Sequence, residues 1–268
     1  MAKVRQLHSL AGCTHGAKVL GQYTWGQPLA MSHHAYLRIL GYVTTIMLHV
    51  SNMAVMMTSF HGEPMKNAFV RHFNEMQFFF FTCWTFFFQT VYAVFALYTD
   101  VLTLKNSENK TFELPKLLTE LRDAFFTIVV YPSTVLVFTF FWSFFYYDRS
   151  LLFPADIDLV ITKTSNHIMH TYIFPIALWE VMFRRRKPPS SHFWHILGVE
   201  AVALTYFSVL FFVHAVKGVW IYPIFGILRG SVYFYLFFLL ILAALPILYS
   251  TQWKLTSLMW DGKKKKVY

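Results

Sequence analysis

Six stretches of this chain are apolar over about 20 or more residues, the length an α-helix needs to cross about 30 Å of hydrocarbon. They run approximately Tyr36–Phe60, Met76–Tyr98, Asp123–Tyr147, Ile157–Phe183, Phe193–Val216 and Arg229–Ser250. Few folds tolerate such a pattern. Lipid offers no partner to backbone N–H and C=O groups, so each run must bond its own backbone as a helix. Composition agrees: 56% of residues are hydrophobic, 20% aromatic and 13% charged, about half the charged fraction of a soluble domain. The thirty Phe are too many for one water-soluble core and cost nothing against lipid. The pattern predicts an all-α polytopic membrane protein with six transmembrane helices. Residues 1–34 read as a polar N-terminal segment, 35–251 as the helical domain and 252–268 as a basic tail.

Lys and Arg set the expected orientation. With the N-terminus inside, seventeen of the 23 fall on the inner side, five on the outer side, and Lys163 lies within a span. The positive-inside rule then places both termini in the cytosol. The net charge of +10 follows largely from this asymmetry. Basic residues interleaved with base-stacking aromatics on a soluble face are missing, so no nucleic-acid partner is expected. The run Arg184–Lys187 reads as a solvated inner loop, near enough to meet anionic headgroups of the membrane lipids. Cys13 and Cys83 share no ligand-type spacing and support neither a disulfide framework nor a zinc site. Residues 1–34 lack a short apolar core with a small-residue cleavage site, so the first span is expected to insert uncleaved. The ending Lys263-Lys264-Lys265-Lys266-Val267-Tyr268 has the arrangement of a dilysine retrieval signal. It predicts residence in the endoplasmic reticulum, with a coat complex as the partner that reads the tail; the cell membrane is the other location considered.

Ionisable side chains inside a span are costly and point to function. The fourth segment carries Lys163, Asn166, His167 and His170, whose spacings of three and four place them on one helical stripe. Such a stripe faces a cavity or a polar partner, not lipid. The residues alone leave three readings open: a polar clamp between helices, a His-ligated metal or haem site, or a histidine base that activates an alcohol from another helix. Intramembrane Ser and Thr are numerous, and their ordinary role is to bond the carbonyl four residues back.

The stretch Asn166-His167-Ile168-Met169-His170-Thr171, with Pro175 and Glu180 after it, resembles the family of the androgen-induced protein and the androgen-dependent TFPI-regulating protein. Tyr147-Asp148-Arg149 with Pro154, Gly218-Val219-Trp220-Ile221-Tyr222-Pro223, and Phe80-Phe81-Thr82 continuing to Gln89-Thr90-Val91-Tyr92 agree in order and spacing. The likeness covers about residues 78–260. It implies a multi-pass membrane threonine hydrolase of fatty acid esters of hydroxy fatty acids, with no cofactor and no metal. It also implies Thr82 as nucleophile, with Thr85 and Thr90 close by, and His170 as its base. The first span and the N-terminal segment match the family poorly.

Asp100 and Glu180 lie far along their helices from Thr82 and His170, so a dyad is expected in place of a triad, with Asn166 or His167 orienting the base or donating to the oxyanion. Lys163 is the candidate partner for a substrate carboxylate, against the alternative that it snorkels to the interface. Asp148 and Arg149 read as an ion pair at the membrane edge, and part of Phe78–Phe88 as the wall of an acyl-chain groove.

Overall fold

A computed structural model describes residues 27–109 and 111–261. Most of the 1–34 segment, Cys13, and the tail Lys263–Lys266 with its expected retrieval signal lie outside the described residues. Among those described, all regular structure is helical. In chain order the helices are α1 Gln27–Ser59, α2 Ala68–Met76, α3 Phe81–Lys105, α4 Lys116–Ala124, α5 Tyr131–Asp148 and α6 Lys163–His167. Then follow α7 Ile173–Phe183, α8 Phe193–Lys217, α9 Pro223–Leu228 and α10 Val232–Trp260.

Five helical stretches are long and apolar enough to cross a membrane: His33–Ser59, Phe81–Lys105, Lys116–Leu151, Phe193–Lys217 and Val232–Trp260. The remaining segment is helical from Lys163 to Phe183, through α6, a π turn at Ile168–Tyr172, and α7. Large apolar side chains such as Phe87, Phe212 and Leu239 stand exposed on the long helices, a surface suited to lipid and not to water.

The expected boundaries shift where polar chemistry intervenes. The second helix begins at Phe81 and not Met76, because the preceding residues form the separate amphipathic helix α2. That helix is started by Asn67, whose side chain accepts from the N–H groups of Phe69 and Val70. The fourth segment begins at Lys163 and not Ile157. Pro154 opens a 3-10 turn over Ala155–Leu159 carrying Asp156 and Asp158, and the Thr162 side chain then caps Ser165 N–H. Val70, Phe73 and Met76 of α2 are buried, and Asn67 Nδ2 donates to Asp156 Oδ1 at 2.9 Å. Helix α2 and the 155–159 turn thus close the end of the bundle that carries Thr82.

Two regions of π winding precede prolines. Phe125–Val130 leads to Pro132, and Ile168–Tyr172 to Pro175. A proline lacks the N–H for the ladder and its ring crowds the carbonyl four residues back; here those carbonyls, Ile128 and Thr171, lie inside the widened turns. Pro246 stays within regular α10.

The first span is fully integrated. His49, 1% exposed, meets Gln89 Oε1 through Nε2 at 2.9 Å. Gln89 Nε2 donates onward to Thr134 Oγ1 and to the Ile173 carbonyl, each at 2.9 Å. One buried amide therefore ties α1, α3, α5 and α7 together.

At the other end of the bundle lies a buried ion network absent from the sequence reading. Asp100 Oδ1 accepts from Arg122 and Asp100 Oδ2 from Arg38, both at 2.7 Å. Glu180 accepts from Tyr42, Tyr92 and Arg186. The Arg184–Lys187 run is therefore more than a solvated loop: Arg184 and Arg186 both bond Asp123, and Arg186 is buried.

Candidate active site

Thr82 is the second residue of α3, one step after Phe81. This differs from the expected position several residues down the span, and the reason is the late start of the helix. His170 approaches from the π turn between α6 and α7 and is 3% exposed. The two side chains meet, with Thr82 Oγ1 3.3 Å from His170 Nε2.

The other ring nitrogen decides the direction of that bond. His170 Nδ1 lies 2.7 Å from Asn166 Oδ1 and 3.1 Å from the Asn166 backbone carbonyl. A carbonyl only accepts, so Nδ1 carries the proton and Nε2 presents its lone pair to the Thr82 hydroxyl. The ring is held flat by Phe141, stacked at 3.4 Å between centroids and 8° between planes. Trp142 Nε1 donates to the His170 carbonyl at 3.2 Å. A stacked aromatic face also favours the cationic ring that forms when a base takes a proton.

The neighbouring threonines are placed differently. Thr90 donates back to the Phe86 carbonyl at 2.9 Å, and Thr85 is buried with no partner for its hydroxyl among the described residues. Only Thr82, of these three, touches a histidine.

The expected stripe on the fourth segment divides into two rows. Asn166 and His170, one turn apart, face inward and bond each other. Lys163 and His167 are exposed. His167 Nδ1 meets Thr171 Oγ1 at 3.0 Å and its ring lies over Trp142 at 5.3 Å. Orienting the base is thus within reach of Asn166 and not of His167. Lys163 and His167 line a separate vestibule of about 830 Å³ with Trp142, Tyr146, Arg149 and Asp158. The ion pair in that region is Arg149–Asp158, at 2.7 Å, in place of the expected Asp148–Arg149; Asp148 instead accepts from Ser150 N–H and Oγ.

Thr82 and His170 open into an apolar cavity of about 1230 Å³, counting its open side. Its wall includes Phe81, Phe140, Phe144, Phe225 and Phe237. Of the aromatic run, Phe80 and Phe81 belong to this wall, while Phe78 and Phe87 are exposed. Neither Asp100 nor Glu180 reaches the histidine, because both are bound in the ion network at the far end. What remains at the site is a hydroxyl, a base with one defined lone pair, an amide that fixes the tautomer, and an apolar chamber.

A family model described as FAR-17a/AIG1-like protein matches residues 42–257. The chain is 35% identical over 155 residues to the androgen-dependent TFPI-regulating protein of Homo sapiens, a match covering 56% of this chain and 67% of that protein. It is 36% identical over 123 residues to the protein of that name from Mesocricetus auratus, covering 45% and 53%. The androgen-induced gene 1 protein of Homo sapiens is 30% identical over 142 residues, covering 50% of this chain and 58% of the relative. The last two matches span little more than half of the relatives' length. No solved structure matches the chain.

Proposed function

This chain belongs to the FAR-17a/AIG1-like family, and from that premise we propose that it is an intramembrane hydrolase of lipid carboxylic esters, with Thr82 as nucleophile and His170 as general base. The observation that carries the reading is the 3.3 Å contact between Thr82 Oγ1 and a His170 Nε2 whose lone pair is fixed by the bonding of Nδ1. Nucleophile, base and orienting group stand in the order that activates an alcohol.

In this reading His170 Nε2 takes the Thr82 proton as the Thr82 oxygen bonds the ester carbonyl carbon. The carbonyl electron pair moves onto its oxygen, then returns as the ester C–O bond breaks. The departing alkoxide takes the proton from Nε2 and leaves as an alcohol. Water adds to the acyl-threonine by the same route, its proton passing to His170 and then to Thr82, and the carboxylic acid departs.

The substrate class proposed is the fatty acid esters of hydroxy fatty acids. Their chains suit a chamber lined almost wholly by aromatic and aliphatic side chains. Acyl chains partition into lipid and need no aqueous entrance. The free carboxylate of such a substrate would stay at the polar vestibule, where Lys163 stands.

The test is labelling of the purified protein, in nanodiscs, with a fluorophosphonate probe, followed by mass spectrometry of the modified peptide. Modification at Thr82 that is lost in Thr82→Ala and His170→Ala is the expected result. A folded wild-type sample that takes no label at Thr82 would overturn the reading.

A further inference from the structure

The motif Gly218-Val219-Trp220-Ile221-Tyr222-Pro223 has no part in the dyad, yet it delivers a phenol to the same chamber. Gly218 ends α8 with φ 72°, the left-handed conformation that glycine adopts freely. Pro223 opens α9 and holds the residue before it extended, so Tyr222 sits at φ −111°, ψ 132°. The backbone around Tyr222 is therefore set by its own sequence. Its ring packs edge-on to Phe80 at 5.2 Å, and Tyr222, Tyr206, Thr82 and His170 line one cavity.

The hydrogen bonds around the two phenols leave one adaptable proton. Tyr206 Oη lies 3.0 Å from the Phe79 carbonyl. That carbonyl only accepts, so Tyr206 is the donor there. Tyr206 Oη also donates toward Tyr222 Oη at 3.1 Å, so its one proton is shared between two acceptors. Tyr222 Oη also accepts from the Phe81 N–H at 3.0 Å, beside the nucleophile in sequence. Tyr222 Oη thus accepts twice, is anchored one residue from Thr82, and keeps its own proton for a further acceptor. The first-turn amides of α3 add positive potential at the same place.

We propose that Tyr222 is the oxyanion donor of this site, giving its free hydroxyl proton to the ester oxygen in a hydrogen bond as negative charge develops there. The inference rests on the hydrolase reading. A hydrogen bond to an anionic oxygen is stronger than one to a neutral carbonyl, so the donor stabilises the transition state over the bound ester. No bond other than hydrogen bonds changes at Tyr222, and its proton stays on the phenol.

The experiment compares 4-nitrophenyl decanoate with its thionoester, in which sulfur replaces the carbonyl oxygen, using the full chain in nanodiscs. Sulfur accepts hydrogen bonds poorly, so a wild-type site with an oxyanion donor prefers the oxygen ester. Tyr222→Phe is expected to lower kcat for the oxygen ester by about 10²–10³-fold with KM little changed, and to erase most of that preference. Equal slowing of both esters would mean that Tyr222 only positions α3, and would overturn the proposal. Tyr206→Phe breaks the same network but leaves the Tyr222 proton, so it is expected to slow both esters alike. Loss of the preference in Tyr206→Phe would assign the donor to Tyr206 and also overturn the proposal, even if Tyr222→Phe does not fold. Thr82→Ala separates the two readings. A wild type and Thr82→Ala equally inactive on both esters would sink the hydrolase reading and this inference with it. An active wild type, an inactive Thr82→Ala and an unaffected Tyr222→Phe would sink this inference alone.

Discussion

His170 is held on three sides: Asn166 fixes its protonated nitrogen, Phe141 lies against its face, and Trp142 bonds its carbonyl. Each contact removes a freedom that would let the lone pair wander from Thr82. Of the two Asn166 oxygens, the side-chain one is the nearer, and the backbone carbonyl survives any substitution. In the proposed hydrolase, Asn166→Leu should therefore lower activity without abolishing it. The expected loss in kcat is about tenfold to a hundredfold, below the 10²–10⁴-fold that a general base supplies. Ester turnover in nanodiscs, set beside thermal unfolding of the same sample, checks this. A loss as deep as that of His170→Ala would show that the backbone carbonyl contributes nothing to orientation.

Among the elements, the decisive one is the widened turn Ile168–Tyr172, because it carries His170. Pro175 stands four residues past Thr171 and opposes regular winding there. Pro175→Ala restores the missing N–H and removes the clash, and so permits an ordinary α-helix through His170. A change from π to α winding turns the segment before it relative to α7, which moves Nε2 away from Thr82. The variant is expected to stay folded, with thermal stability equal to or above wild type, while labelling of Thr82 by a fluorophosphonate falls by about tenfold or more, as small misplacements of reacting groups do. Unchanged labelling would show that the turn is held by tertiary packing and not by the proline. Helix α3 contributes in the complementary way: its start at Phe81, after the separate helix α2, puts Thr82 at a helix end.

On the scale of the molecule, the two ends of the bundle do different work. One end holds the chamber with Thr82 and His170. The other holds Arg38, Asp100, Arg122, Glu180 and Arg186, with Asp123 and Arg184 at its edge. Removing one charge from such a set strands its partners in a medium that cannot solvate them. Glu180→Gln should accordingly destabilise the fold by about 3–5 kcal/mol, seen as a lower unfolding temperature in detergent. The protein that remains folded should still label at Thr82, since Glu180 touches neither Thr82 nor His170. Normal stability would mean that Tyr42, Tyr92 and the guanidinium groups satisfy one another without the carboxylate.

Much of this was legible in the linear sequence, for reasons that are local. Bilayer thickness sets the length of an apolar helix, so five of the six predicted segments appear as long apolar helices with only their ends moved. The Asn166–His170 pair follows from helical spacing, and the pairing of Thr82 with His170 from motif resemblance. What the sequence could not decide is whatever depends on which faces meet. The division of Lys163 and His167 from Asn166 and His170, the pairing of Arg149 with Asp158, and the use of Asp100 and Glu180 in a network are contacts between distant residues. So is the arrival of Tyr222 beside Phe81, 141 positions apart. Backbone hydrogen bonding and apolar length act within a few turns of chain, and they determined the helices. Burial of charge and the distance at which Thr82 stands from His170 depend on how those helices pack, and only the tertiary structure determined them.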